Sequence, residues 1–380
     1  MDLQSSGNVV DVIVIGAGQS GLAAGFYLQR LHRDAQRGRI SAAPSFVLLD
    51  AAPEPGGAWQ AFWPSMELFS PAEHSSLPGR RMPAYPGPRN PDANHVVDYL
   101  SDYEQRYELP IKRPVHVLTV RNHGAERFTV ETDKGQWRSR FLISATGGWQ
   151  TPYVPRLPGQ DEFIGQQLHT RDYAGPTDFA GADVVVVGAG NSGAQIAADL
   201  LPMAASVLWA TLEPPKYMPD DVDGRVLFQI ASKRKAQLAE GSKPAGGHSL
   251  GKIVAVPAVR QARDAGKLVA TPMFDYLAPE GPRWEDGSTH RADAIIWCTG
   301  FRPNLDHLEF LPESDDGARK LPVMDRQLVT RCAAVPGLYL LGYGDWCGPA
   351  SATLIGVGSW ARDTVADVAA RFTADTDAPG

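Results

Sequence analysis

Two short glycine runs, and the acidic residue that follows the first of them, are the residues best able to do chemistry in this chain. The runs are Gly16-Ala17-Gly18-Gln19-Ser20-Gly21 and Gly188-Ala189-Gly190-Asn191-Ser192-Gly193. Each follows a short apolar stretch and opens a helix-like one, the context that a dinucleotide fingerprint requires. The first glycine permits a tight turn. The second lets the backbone approach a pyrophosphate, and the third lets helix pack on strand. Free N–H groups at the helix start then face the anion. Gln19, Ser20, Asn191 and Ser192 lie inside these loops and are counted with the glycines as cofactor-binding residues. Asp50 ends the strand after the first loop, where a carboxylate accepts hydrogen bonds from ribose hydroxyls. Its distance along the chain from Gly16 exceeds the usual gap of about 20 residues, and the polar stretch 34–45 accounts for the excess. Two such sites on one chain usually mean one tightly held flavin and one exchanging nicotinamide.

The elements that must position these loops follow from the apolar pattern. Val9 to Ile15 and Phe46 to Asp50 read as strands around a helix from Leu22 to about Arg33. Residues 51–95 are rich in Pro, Gly and aromatics and read as ordered loop. A helix is expected over Val96 to Tyr107, then strands at Val115 to Val120, Phe128 to Glu131 and Phe141 to Ser144. The second unit repeats the scheme with strand Val184 to Val187, helix Ala194 to Leu201 and strand Ser206 to Ala210. Residues 222–266 read as a polar, helix-leaning insert with a break near Pro244 to Gly247. Asp286-Gly287 marks a hairpin turn. Ile295 to Trp297 and Leu338 to Leu341 read as closing strands before a final helix from about Ser351. The expected fold is α/β with two Rossmann-like domains. The FAD domain takes residues 1–150 and 291–380, and the nicotinamide domain, 151–290, is inserted into it.

Composition narrows the function. The 380 residues carry a formal net charge of -7 with no basic stripe, which argues against nucleic acid as a partner. No apolar run reaches the roughly 20 residues needed to span a bilayer. With no signal-like N-terminus, the expectation is a cytoplasmic protein without a membrane partner. Cys298, Cys332 and Cys347 are far apart and form no CxxC pair, so neither a structural disulfide nor a disulfide-reductase centre is expected. No metal is called for, and the oligomer to test for is a homodimer.

At residues 163–173, Phe-Ile-Gly-Gln-Gln-Leu-His-Thr-Arg-Asp-Tyr matches FxGxxxHxxxY, and the chain there resembles the flavin-containing monooxygenases. Tyr173 stands where the related Baeyer–Villiger enzymes usually carry Trp. Gly56-Gly57-Ala58-Trp59 resembles the family's GGxW flavin contact, and Gly342 to Asp345 its ribityl contact. Ala145-Thr146-Gly147 and Cys298-Thr299-Gly300 resemble its interdomain crossover turns. The run from Leu338 through Gly356 is similar to the short bacterial monooxygenases, some of which belong to arsenic-resistance operons and accept NADH as well as NADPH. The resemblance implies bound FAD, hydride delivery from NADPH or NADH, and O2 addition to give a C4a-hydroperoxide. That adduct would oxygenate a small sulfide, amine or strained ketone.

Within this reading Gly57, Trp59 and Asp345 join the flavin contacts, a helix N-cap being the alternative role for Asp345. The final helix would point its positive end at the flavin pyrimidine. His169 is a candidate acid or base, or a structural residue of the nicotinamide pocket. Trp346, Trp59 and Phe69 are pocket-wall candidates. The family carries an Asn beside the oxygen adduct where this chain has Ser70-Pro71, which leaves Ser70 as the catalytic candidate there. A peroxide-forming flavin reductase or oxidase and a redox-sensing flavoprotein are the alternatives. Coenzyme use is expected to be relaxed: Ala210-Thr211-Leu212-Glu213 offers no Arg for a 2′-phosphate and no strand-end acid for two hydroxyls. Thr211 can bond either, and Lys216 is the nearest cation.

Overall fold

Short, almost wholly apolar strands separated by glycine turns build two parallel sheets of one design. The computed structural model describes residues 8–376 apart from 88, 125–126, 221, 223, 240–252 and 315–316. The expected break at Pro244 to Gly247 lies outside the described residues. The helices, in chain order, are α1 (Gln19–Gln36), α2 (Ala93–Tyr107), α3 (Asn191–Leu200), α4 (Gly224–Ala239), α5 (Pro257–Asp264) and α6 (Leu354–Thr376).

The first sheet runs in the order Leu338–Leu340, Phe141–Ser144, Val12–Ile15, Phe46–Leu49, Ile111–Lys112, and every pairing is parallel. Parallel strands are covered on both faces, which is why they read as continuous hydrophobic runs. Val12 and Val14 face a core containing Leu22 and Leu28 of α1, Leu100 of α2 and Val357 of α6. Ile13 and Ile15 face the opposite core, with Val120, Phe128 and Leu305. That second face is covered by a smaller sheet in the order Asn8–Val9, Gly135–Ser139, Phe128–Thr132, Val117–Asn122.

The second parallel sheet runs Ala270–Pro272, Ser206–Thr211, Asp183–Val187, Ala294–Trp297, Gln166–His169. The layouts correspond. In each sheet the strand before the glycine loop lies between the following strand of its own βαβ unit and a strand that ends in a crossover turn. α3 and α5 cover one face, where Val184 and Val186 meet Ile196 and Val259.

Several expected boundaries move. Val9 to Ile15 is not one strand. Val9 pairs in the small sheet and Val12–Ile15 in the large one, with Asp11 between them accepting from the N–H and hydroxyl of Ser45. Helices α1, α2 and α3 start about a turn earlier than expected, and α6 starts at Leu354 instead of Ser351. Ala294–Trp297, assigned by sequence to the returning FAD segment, pairs on both sides within the second sheet. The chain therefore returns to the first unit after this strand, not at residue 291. The Asp286-Gly287 turn is present, with Gly287 at φ +86° and an Arg283–Thr289 antiparallel bridge.

A buried polar chain ties the first sheet to its surroundings. Ser144 Oγ lies 3.0 Å from His307 Nε2 and 2.5 Å from the Tyr343 hydroxyl, which lies 2.7 Å from Thr146 Oγ1. Thr146 in turn donates to the carbonyl of Asn304. Burial pushes the His307 imidazole down to about 4, because no charge nearby compensates the cost of an imidazolium. Unfolded, the same ring titrates near 6.5. The unfolded chain therefore binds this proton first as pH falls, and stability drains away between about 6.5 and about 4. A His307→Gln variant keeps a hydrogen-bonding group but loses the titration. Denaturant melts at pH 7 and pH 4 should show wild type losing up to about 3 kcal/mol more than the variant over this window. Equal losses would show that the ring does not stay neutral.

Candidate cofactor and active site

The two glycine loops divide their labour in the same way. A Cβ on Gly16 (φ +96°) would lie 2.7 Å from the carbonyl oxygen of Ala145, and one on Gly188 (φ +128°) 2.3 Å from that of Cys298. A Cβ on Gly21 or Gly193 would fall 1.8 Å or 2.1 Å from the carbonyl oxygen of the loop's first glycine. Side chains at these four positions are excluded by the protein itself. Gly18 and Gly190 differ. Each has an extended backbone (φ -74° and -93°) that any residue adopts, and a Cβ on either would meet nothing within 4 Å. The protein gives no internal reason for glycine there, so the space suits a ligand that needs close backbone approach. At both loops the helix begins without a side-chain cap, leaving its first N–H groups for an anion.

Around the first loop, Gly57 (φ +56°) stands over Gly18, its absent Cβ only 3.0 Å from the Gly18 Cα. Trp59 donates its indole N–H to Gln19 at 3.0 Å, and Gln19 donates to the Ala352 carbonyl at 2.6 Å. The GGxW turn, the glycine loop and the start of α6 are thus joined through one side chain. Ser20 is buried beneath Gly342, where a Cβ would lie 2.0 Å from its hydroxyl. Asp50 is buried, and Arg113 places two nitrogens on its Oδ2 at 2.9 and 3.2 Å while also bonding Glu104 at 2.6 Å. The sequence did not single out Arg113. Asp345 is exposed, and its Oδ1 accepts from the Ala350 N–H at 3.0 Å. It closes the turn before α6 and does not cap that helix.

Around the second loop, Asn191 Oδ1 accepts from the Val254 N–H at 2.9 Å, so its carboxamide holds the insert. Ser192 is half-buried in the first turn of α3. Thr211 is buried at the end of its strand, Leu212 is 89% exposed, and Lys216 pairs with Glu213 at 2.8 Å.

His169 has both ring nitrogens engaged. Nε2 lies 2.9 Å from the Gly300 carbonyl, and Nδ1 accepts from the Arg171 N–H. This fixes a neutral ring protonated at Nε2, and burial lowers its pKa further. The acid–base alternative fits this geometry poorly, because neither nitrogen is left to exchange a proton with a ligand. Tyr173, which ends the same motif, donates to Asp199 on α3 at 2.8 Å. The motif thus fastens the C-terminal end of the strand Gln166–His169 to a crossover turn through His169, and the turn that follows it to α3 through Tyr173. Ser70 is buried, and its carbonyl accepts from Ser75. Phe69 packs against Met218 and Val254. Trp346 packs in the core beneath the first sheet, so it is core before it is pocket wall.

The model for the pyridine nucleotide-disulphide oxidoreductase family matches residues 13–342. Two structures of flavin monooxygenase from Stenotrophomonas maltophilia, one a double mutant, are 45% and 44% identical to this chain. They cover 96% of it and 99% of their own chains, with TM-scores of 0.83 and 0.82. The chain belongs to this family, as one of its flavin monooxygenases. It is also similar to an uncharacterized CzcO-like oxidoreductase of Geobacillus kaustophilus (29% identity, 95% of this chain and 99% of the relative). The indole-3-pyruvate monooxygenase YUCCA6 of Arabidopsis thaliana is 30% identical, over 78% of this chain and 77% of the relative. The flavin monooxygenase is accordingly an FAD- and NAD(P)H-dependent oxidoreductase that uses O2. No helix among the described residues is long and apolar enough to cross a membrane.

The family name includes disulphide chemistry, yet Cys298, Cys332 and Cys347 are all free and buried. Burial pushes the Cys298 thiol up to about 12 and raises the other two. Thiols buried and held protonated in this way are poor nucleophiles.

The open space at Gly18 and Gly190 makes a sharp test. Gly18→Leu should fold normally, judged by circular dichroism, yet purify colourless. Gly190→Leu should keep its flavin and bind nicotinamide at least about 100-fold more weakly, a cost of about 2.7 kcal/mol. A folded Gly18→Leu protein with full flavin absorbance would remove the loop from the flavin site.

Proposed function

We propose that this flavin monooxygenase takes a small soft nucleophile, a sulfide or amine, or a strained ketone, and that either NADH or NADPH serves as its reductant. What supports the two-cofactor arrangement is the matched pair of open positions at Gly18 and Gly190, each beneath a helix start. When bound, the flavin supplies hydride acceptance and oxygen activation. The chain's own part is to hold pyrophosphate at each loop, orient the adenosine ribose through Asp50, and keep water out with the aromatic side chains between the sites. Phe62 joins Trp59, Trp63 and Trp149 by ring contacts of 4.5–5.9 Å, and Trp149 stacks on Phe301 at 4.9 Å. Ser70 is assigned to the place of the family's Asn, and His169 to a clamp on the second crossover turn.

The second reading, a peroxide-forming oxidase, is favoured by one feature, the proline at position 71 in a step where the family has a side-chain donor. Coupling decides between them. With an aryl methyl sulfide as probe, sulfoxide should account for most of the NAD(P)H consumed. Stoichiometric hydrogen peroxide without sulfoxide would establish the oxidase instead.

Coenzyme choice rests on the end of the strand Ser206–Thr211. Thr211 is buried, which leaves Leu212 as the exposed residue where a 2′-phosphate would arrive. Lys216 is already paired with Glu213, and both are solvent-exposed. A charge-assisted hydrogen bond contributes about 1.5–3 kcal/mol. Leu212→Arg should therefore shift the ratio of kcat/KM values toward NADPH by roughly one to two decades. Lys216→Ala should change it little. A wild-type NADPH preference of about a hundredfold or more, lost in Lys216→Ala, would show that Lys216 reads the phosphate.

A further inference from the structure

Helix α3 carries three partly exposed polar residues four apart, Asn191, Gln195 and Asp199, on a helix whose remaining core positions Ala194, Ile196, Ala197, Ala198 and Leu200 are buried. Spacing of four places them on one face. That face is turned in large part toward the protein. It holds the segment 63–70 of the other sheet's unit at successive points. Asp199 Oδ2 accepts from the Ser65 hydroxyl at 2.7 Å, as well as from Tyr173. The Gln195 carboxamide takes both backbone groups of Glu67, accepting from its N–H at 3.3 Å and donating to its carbonyl at 3.2 Å. Asn191 holds the Val254 N–H, and Val254 packs on Phe69. Between these points Trp63 and Met66 are buried in the same core as Ala194 and Ala198.

We propose that Gln195 is a positioning residue that makes the nicotinamide loop and the segment ending at Ser70 move as one body. The first turn of α3 is the place where a pyrophosphate would bind, and Gln195 lies in the turn after it. Its amide substitutes for a neighbouring strand, satisfying both backbone groups of Glu67 as a ladder partner would. A nucleotide that pins the start of α3 thereby also pins Phe69 and Ser70. The inference rests on the assignment of the second loop to the nicotinamide.

Amide hydrogen exchange on the FAD-loaded protein, with and without NADP+, tests this apart from turnover. In wild type, NADP+ should slow exchange in residues 190–194 and in residues 65–70 together. In Gln195→Ala the slowing at 190–194 should persist, while residues 65–68 exchange roughly tenfold faster and no longer respond to nucleotide, as expected for two lost hydrogen bonds of about 1 kcal/mol each, partly replaced by water. Gln195→Glu keeps the size and the acceptor for the Glu67 N–H but cannot donate to the Glu67 carbonyl, so exchange at 65–68 and its response to nucleotide should fall between wild type and the Ala variant if hydrogen bonding is the cause. If the nucleotide response at 65–70 survives in both variants, Gln195 is not the link. If NADP+ leaves 190–194 unprotected in wild type, the assignment of the loop fails, and this inference with it.

Discussion

Backbone lies hard against backbone where each glycine turn meets the crossover strand beside it. Gly16 presses on the Ala145 carbonyl and Gly188 on that of Cys298, so tightly that a single methyl group would collide in either case. Interiors are packed to crystal-like density, so neither contact has slack to absorb movement. The consequence reaches past the loops. Ala145 and Cys298 each open a crossover turn, so the glycine loops and the two connections between the units are fixed by the same contacts.

The two connections are themselves paired. The Tyr153 N–H bonds the Gly300 carbonyl, the Arg302 N–H bonds that of Thr151, and the Asn304 N–H bonds that of Gly147. Trp149 stacks on Phe301, and His169 adds its imidazole N–H to the Gly300 carbonyl and its ring edge to Phe301. Both ring nitrogens of this histidine are thereby engaged within the protein. A neutral imidazole gives one donor, one acceptor and an aromatic ring, and all three are used here. A lysine would bring a charge into a buried site, and a leucine would leave the Gly300 carbonyl with the Tyr153 N–H alone and take away the acceptor of the Arg171 N–H.

Much of this was legible in the residues alone. Short continuous apolar runs marked the parallel strands, and the glycine spacing marked both loops. Sequence could not assign Ala294–Trp297 to its sheet, because a buried four-residue strand reads the same in either. The helix starts were placed late because they begin on polar loop residues, Gln19 and Asn191, that carry no helical apolar period. Arg113 escaped notice because its partners Asp50 and Glu104 meet it only through the fold. Gln195 and Asp199 did leave a signal. They continue Asn191 at intervals of four along an otherwise apolar helix, a spacing that on a solvent-facing helix means nothing and on this one means a second buried contact.

The same reasoning gives the departure at Ser70-Pro71 a structural context. Proline sets φ and removes a donor, so it suits the place where an extended segment turns into the short 3-10 helix Ala72–His74, whose first residues need no internal N–H partner. The stretch before it is held by side chains of α3 and by core packing at Trp63 and Met66. Trp63, Ser65, Met66 and the Glu67 backbone carry that anchoring, so the side chains at Ser70 and Pro71 are not needed for it. Those side chains are then free to differ from the wider family, while the position of the segment is dictated by the helix that begins at the second glycine loop.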